Sequence, residues 1–195
     1  MSHYLVNELP GIEQLRYLEL GIYDGENFKL VRAQFKTSCD VEPKWRATFV
    51  GTTDAFFAQL TPNAQFDAIY IDACHSFSFV LRDFNNSVAH LAPRGVILCH
   101  DLVPPTEASS DGAQCGDAYK LLVGFIANVS HYSDFFVQDE DHGLTLFRAP
   151  PLPPASWLSE YGTVPYASFR SVLTAIPLYG VGEMQRIARE TRIVP

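Results

Sequence analysis

The 195-residue sequence is short of positive charge: 14 Lys and Arg stand against 22 Asp and Glu, giving a formal net charge of −8 and a pI near 5.1. A surface of that sign repels a phosphate backbone or an anionic bilayer, so nucleic-acid and membrane partners are excluded as first readings. Long apolar runs are missing too. None approaches the roughly 18 residues needed to cross a bilayer, and the opening MSHYLVNELPG lacks the basic and apolar regions of a secretion signal. A soluble, cytoplasmic protein is therefore expected. The four cysteines, at 39, 74, 99 and 115, are scattered, with no CxxC pair of the kind that marks zinc ribbons and redox motifs, and are read as reduced thiols. Two Cys-His dipeptides, Cys74-His75 and Cys99-His100, admit a soft-metal site at two strand ends. The alternative, that each Cys packs in the core, is preferred because a free Cys behaves as a small buried hydrophobe. There is no internal repeat.

What is present points to one packed domain. Apolar residues make up 47% and charged residues 18%, enough for a buried core and unlike a disordered chain. Short apolar runs alternate with helix-period segments, the pattern of a parallel sheet covered by helices on both faces. Strands are expected at Tyr17 to Leu20, Ser38 to Val41, Thr48 to Val50, Phe66 to Ile71 and Val96 to Cys99, with helices over Glu26 to Phe35, Asp54 to Leu60 and Phe77 to Leu91. The last of these carries a stripe of Leu81, Phe84, Val88 and Leu91. After a loop from Leu102 to Gly116, Asp117 is placed to cap a helix with Leu121, Leu122, Phe125 and Val129 inward, and Phe135 to Val137 pairs with Leu144 to Phe147 as an antiparallel hairpin. The fold class is α/β, a doubly wound, mainly parallel sheet of seven strands. Seven of the thirteen prolines follow residue 149, beginning with Pro150-Pro151-Leu152-Pro153-Pro154, so residues 1–149 are expected to form the domain and 150–195 a stiff connector and helical appendage. That tail carries four Arg against three Glu, and serves either as a lid or interaction arm, including between copies of the chain, or simply packs on its own subunit to bury Trp157, Tyr161, Tyr166 and Phe169.

In such sheets ligands bind beyond the carboxyl ends of the strands. After the first strand, Gly21 and Gly25 permit a tight turn and close backbone approach. Asp40 follows Gly21 by nineteen residues, the distance at which an acid accepts hydrogen bonds from ribose hydroxyls in these folds. Ordinary turn chemistry is the competing reading of all three. Further on come Tyr70-Ile71-Asp72-Ala73-Cys74-His75, a helix containing Leu81-Arg82-Asp83, and Leu91-Ala92-Pro93-Arg94-Gly95-Val96-Ile97-Leu98-Cys99-His100-Asp101.

With these strings, the Thr52-Thr53-Asp54-Ala55-Phe56-Phe57 stretch, Pro104-Pro105 and Gly116-Asp117-Ala118-Tyr119-Lys120, the chain from about Tyr17 to Phe147 resembles the class I S-adenosylmethionine-dependent methyltransferases, in particular the bacterial group named methyltransferase domain family 24. The resemblance implies a Rossmann-like fold and S-adenosylmethionine as cofactor. It implies that Gly21, Asp24 and Gly25 cradle the methionine part, that Glu19 holds its ammonium, and that Asp40 takes the ribose hydroxyls. Thr52 and Thr53 then fall where relatives place an adenine-contacting acid, with Asp54 close by, and Asp72 borders the cofactor. Metal-dependent O-methyltransferases of the catechol type look similar at the next sites. By that likeness Asp72 and the His100-Asp101 pair would bind a divalent cation, magnesium first, with His75 or His100 shifting preference toward manganese, iron or zinc. His75 would be the general base, with an ordinary pKa of about 6.5; a helix-start residue bonding local backbone is the alternative. His3, His90, His131 and His142 receive no role. The implied activity is methyl transfer to a hydroxyl of a small molecule, of sugar or natural-product type. The alternatives are a non-catalytic binding or assembly module on the same fold, and a metal-dependent hydrolase using Asp72, His75, His100 and Asp101.

Overall fold

The computed structural model describes residues 2–111, 114–150 and 156–193; all but the first residue of the expected proline connector, and the side chain of Trp157, lie outside them. Eight strands form one sheet: β1 (Arg16–Leu20), β2 (Phe35–Asp40), β3 (Phe49–Val50), β4 (Phe66–Ile71), β5 (Leu91–His100), β6 (Phe135–Gln138), β7 (Leu144–Arg148) and β8 (Leu178–Tyr179). Their spatial order is β3-β2-β1-β4-β5-β7-β6-β8. β1 to β5 run parallel, β7 is antiparallel between β5 and β6, and β8 adds parallel to β6. The order reverses between β1 and β4, which sets a crevice beyond their carboxyl ends.

Alternation along the central strands divides the core in two. Leu18, Ile69, Ile71, Ile97 and Cys99 face one way, toward α3 (Thr53–Gln59), α4 (Phe77–Ala89), α5 (Tyr119–Ala127) and α6 (Tyr166–Leu173). Tyr17, Ala68, Tyr70, Val96 and Leu98 face the other way, toward α1 (His3–Val6) and α7 (Val181–Glu190). The helix α2 (Glu26–Leu30) opens beside this second layer. On the first face Phe84, Phe125 and Phe147 meet at centroid distances of 4.6 to 5.2 Å in tilted and edge-on pairs, the geometry that aromatic quadrupoles favour. Among the described residues no helix is long and apolar enough to cross a membrane.

The structure moves several expected boundaries. α2 stops at Leu30 rather than Phe35, and β2 starts at Phe35 rather than Ser38, because five parallel pairs from Arg16↔Phe35 to Leu20↔Cys39 extend that ladder. β5 begins at Leu91: Phe66 pairs with Leu91 and Ala68 with Val96, so Pro93-Arg94-Gly95 forms a bulge, with Arg94 at φ 62°. The buried stripe of α4 is Phe77, Val80, Phe84 and Val88, with Leu81 and Leu91 only partly covered. Val129 lies beyond α5 and is exposed. Cys99 is buried as expected and Cys74 is exposed, so the core reading holds for Cys99-His100 and fails for Cys74-His75. The eighth strand is two residues long, too short to show as a pattern in the sequence. It belongs to residues 156–193, which pack on their own chain through Phe169 and Leu158, the Tyr166 hydroxyl donating to Pro104 O, and an Arg189–Glu8 ion pair at 2.8 Å.

Two carboxylates, Asp117 half-buried and Glu19 buried, hold element ends together. Asp117 does not cap α5, whose first residue is Tyr119. Its Oδ1 accepts instead from the Phe77 amide at 2.5 Å, so it caps α4 from a distant loop while its Oδ2 meets Lys120 Nζ at 2.8 Å. Glu19, on β1, is 1% exposed and accepts from Tyr17 Oη (2.7 Å) and Asn27 Nδ2 (3.0 Å); Asn27 Oδ1 in turn accepts from the Ser2 and His3 amides. Burial pushes Glu19 up to about 7, against those two donors.

Replacing Asp117 with Ala should lower unfolding free energy by about 0.5–2 kcal/mol, the cost of a lost helix cap, measured by urea denaturation. For Glu19 the folded protein holds a proton that the unfolded chain has released between pH 4.5 and about 7, so its contribution to stability is full below that window and declines as pH rises through it. Glu19→Gln should therefore show a smaller fall in urea midpoint than the parent across the same window.

Candidate active site

The crevice is built where segments leave β1, β2 and β4. Gly21 sits at φ +81°, and its amide donates to Cys39 O at 2.8 Å. A Cβ placed there would lie 2.2 Å from Asp72 O, so only glycine lets the ends of β1 and β4 meet. The loop that follows is held by Asp40: its Oδ2 accepts from the Ile22 (2.9 Å) and Tyr23 (3.2 Å) amides and its Oδ1 from the Glu42 amide (2.8 Å). Each carboxylate oxygen has two lone pairs, so Asp40 retains capacity to accept from a ligand. Asp24 accepts from the Glu26 amide at 3.0 Å. Gly25, at φ +76°, precedes α2 and donates to Ile22 O.

Two adjoining cavities open on these residues. The larger, about 750 Å³, is lined by Glu19, Gly21, Asp24, Asp40, Asp72, His75, His100 and Asp101. The smaller, about 180 Å³, shares Gly21, Asp40 and Ala73 with it and adds Thr52, Thr53, Asp54, Cys74, Phe79 and Asp83. Every site residue expected from the sequence lines one of them except Gly25, which shapes the loop. In the smaller cavity Thr52 spends its hydroxyl on the Ala55 amide as the cap of α3, and Asp54 pairs with Arg82 at 3.0 Å. Asp83 was quoted in the sequence only as part of a string. It is 1% exposed, burial pushes it up to about 6, and its Oδ1 has no hydrogen-bond partner.

At the other end of the larger cavity, carboxylates and imidazoles interleave. His75 Nε2 lies 3.1 Å from Asp101 Oδ2 and 3.4 Å from Asp72 Oδ1, while His75 Nδ1 contacts Gln114 O. His100 Nδ1 is 3.2 Å from Asp101 Oδ2 and 3.7 Å from Asp72 Oδ1. Tyr70 Oη donates to Asp72 Oδ2 at 2.8 Å. The Asp72 hydrogen bond and the Asp101 charge raise His75 to about 9 against the effect of burial. The near-neutral pKa expected for this histidine is thus shifted upward by its carboxylate neighbours. For His100, burial opposes protonation, but the Asp101 hydrogen bond and the charges of Asp72 and Asp101 outweigh it and raise its pKa. Asp101 is held below the usual carboxylate range by His100 and His75, despite burial. Asp72, His75 and Asp101 each offer a ligand atom within 4.8 Å of the others, a grouping able to hold a metal ion. Of the His100-Asp101 pair, Asp101 belongs to that grouping and His100 lies beside it.

His142 was given no role from the sequence, yet it lines the larger cavity with Asp141, its Nδ1 3.5 Å from Asp101 Oδ1. The available signal was the antiparallel hairpin: a strand returning beside β5 brings its preceding turn to β5's carboxyl end. Tyr23 and Trp45, with rings 5.2 Å apart, also border the cavity, and neither carries a motif that marks it.

Residues 18–102 match the family described as Methyltransferase domain. No curated protein sequence matches the chain. Among solved structures, the fold is similar to the O-methyltransferase TomG of Streptomyces achromogenes, involved in tomaymycin synthesis and crystallised with SAM, at 16% identity over 73% of this chain and 75% of that one, with a TM-score of 0.53. It is similar to an O-methyltransferase from Bacillus cereus in complex with SAH (15% identity, 73% and 76% coverage, TM-score 0.51) and to an SAH-bound methyltransferase from Podospora anserina (18%, 70% and 72%, TM-score 0.52). The family match thus spans residues 18–102, from within β1 to just past β5, and the fold is similar to that of these S-adenosylmethionine-dependent enzymes.

Proposed function

We propose that this protein transfers a methyl group from S-adenosylmethionine to a hydroxyl of a small molecule, with a divalent cation assisting. The observation that carries this reading is the convergence of the Gly21 loop and Asp40 on one crevice that runs on to Asp72 and His75. The residues fit the cofactor. Asp24 and Asp72 suit an ammonium and a sulfonium by charge, and Glu19 lines the same cavity as a buried acceptor. Asp40 has acceptor capacity left at Oδ1 for a ribose hydroxyl. The smaller cavity offers an apolar wall in Phe79 and an unpartnered buried acceptor in Asp83, as a purine bearing an amino group requires. Thr52 and Thr53 border that same cavity, at the positions that the family resemblance assigns to adenine contact. When bound, S-adenosylmethionine supplies an already activated methyl group.

The chain's own task is alignment and the removal of one proton. With a divalent cation held by Asp72 and Asp101, His75 would be neutral and able to receive the hydroxyl proton at Nε2. That cation would be magnesium by its preference for oxygen ligands, with His100 beside the two carboxylates. Cation binding and protonation of His75 are therefore alternatives at this cluster, since both draw on Asp72 Oδ1 and Asp101 Oδ2. Residues 156–193 are in this reading built into the domain through β8, α6 and α7 and are not a separate appendage.

Calorimetric titration of the full chain with S-adenosylhomocysteine should give saturable binding; an absence of heat would overturn the cofactor assignment. Asp40→Ala should weaken that binding by about tenfold or more, the value of hydrogen bonds to a charged acceptor. His75→Ala should leave the affinity in place and lower turnover by about 10²–10⁴-fold with any hydroxyl acceptor found by radiolabelled methyl transfer. Equal loss of binding and turnover in that variant would remove His75 from the proton-transfer role.

A further inference from the structure

Asp101 has two faces. Its Oδ2 looks toward His75 and His100, as described above. Its Oδ1 looks away from them, toward His142 Nδ1 at 3.5 Å, and the Cys115 thiol hydrogen-bonds the same carboxylate. Asp101, Cys115 and His142 each present one ligand atom, all within 4.8 Å of one another. Asp101 and Cys115 are buried, at 3% and 0% exposure, while His142 is half-exposed. A carboxylate, a thiol and an imidazole converge here from three different segments.

The backbone holds these three segments together without any ion. Gly116, next to Cys115, is at φ +53°, and a Cβ there would lie 2.3 Å from His75 O. Gly143, next to His142, is at φ +87°, and a Cβ there would lie 2.4 Å from Val103 Cγ2. The Val103 amide donates to His142 O at 2.8 Å, and the Cys115 amide donates to Ser109 O at 3.0 Å. Each ligand-bearing loop is thus pressed by a glycine contact against the segment that carries either Asp101 or His75. Asp101 and His142 both adopt positive φ, 61° and 63°, in non-glycine residues. Pre-set ligands of this kind bind an ion without the cost of ordering loops.

We propose that Asp101, Cys115 and His142 form a site for a zinc-type transition-metal ion, separate from the oxygen-rich site at Asp72 and sharing only the Asp101 carboxylate with it. A thiolate and an imidazole select zinc and its neighbours over magnesium or calcium, which take oxygen ligands. Three protein ligands leave a fourth position, and His142 places it on the wall of the larger cavity. This site does not rest on the cofactor reading and would exist in a protein that bound no S-adenosylmethionine.

Cobalt reports on it directly, because a Co²⁺ ion bound by a thiolate shows a ligand-to-metal charge-transfer band that oxygen and nitrogen ligands do not give. The full chain, stripped of metal with a chelator and kept reduced, is titrated with Co²⁺ and then with Zn²⁺ or Mg²⁺. The expected result is a charge-transfer band that saturates at one equivalent, is abolished by Zn²⁺ and is untouched by Mg²⁺. Cys115→Ser should lose the band, whereas Cys74→Ser, at the exposed thiol nearby, and Asp72→Asn should keep it. His142→Ala should weaken Co²⁺ affinity by at least about tenfold, the lower end of what losing even an outer partner of a metal ligand costs. A parent protein without the band, a band that survives Cys115→Ser, or one that disappears in Cys74→Ser would overturn the site. Loss in Asp72→Asn would overturn its separateness. Should Cys115→Ser not fold, His142→Ala decides, since an unchanged Co²⁺ affinity there is incompatible with the ligand set. Calorimetry with S-adenosylhomocysteine on the same samples reports the cofactor reading independently.

Discussion

Everything at the site depends on how near the end of β1 comes to the end of β4. That approach is a backbone contact, with the Asp72 carbonyl lying where any side chain at position 21 would have to sit. It brings the loop after β1, the carboxylate after β2 and the acid after β4 into one crevice, and it occurs where the strand order reverses. The glycine is therefore required by the protein's own packing before any ligand is considered. This explains why a Gly-x-x-x-Gly string alone says little: Gly21 is a steric necessity of the sheet, whereas Gly25 only shapes the entry to α2.

Around that contact the site is organised by buried carboxylates with unequal environments. Glu19 is deep, surrounded by a phenol and an amide, and burial raises its pKa. Asp101 is nearly as deep but faces imidazoles, and its pKa falls. Desolvation acts on both; the difference is whether neighbouring groups carry positive charge. The result is a cavity in which one buried acid, Glu19, is shifted upward and another, Asp101, downward.

The parallel core was legible because β4 and β5 are short runs of apolar and β-branched residues between turn signals, and because their carboxyl ends carry Asp72 and His100-Asp101 in plain view. Boundaries were less so. The α2 to β2 junction is set by pairing with β1, which no local pattern in Glu26 to Phe35 reveals, and the bulge at Pro93-Arg94-Gly95 looks like a turn until the register with β4 is known. Asp117 has the sequence of a cap for the helix that follows it and the geometry of a cap for another helix forty residues earlier. His142 and Cys115 were invisible for the same reason. Each sits in a loop whose importance comes from the glycine beside it and from a contact across the fold, not from spacing along the chain. Asp83 had the right residue type but looked like one more polar position on a helix.

Asp40 has a second consequence through its double engagement. The carboxylate that faces the crevice is also the clasp for the Ile22 and Tyr23 amides, so anything that draws electron density from Oδ2 slackens two amide-to-carboxylate hydrogen bonds at the same moment. Those amides are built-in reporters: the nuclear-magnetic-resonance positions and deuterium uptake of residues 22 and 23 would register occupancy of the crevice without a label on the guest, and Tyr23, already held at φ 45°, would be the first part of the chain to relax when the clasp loosens.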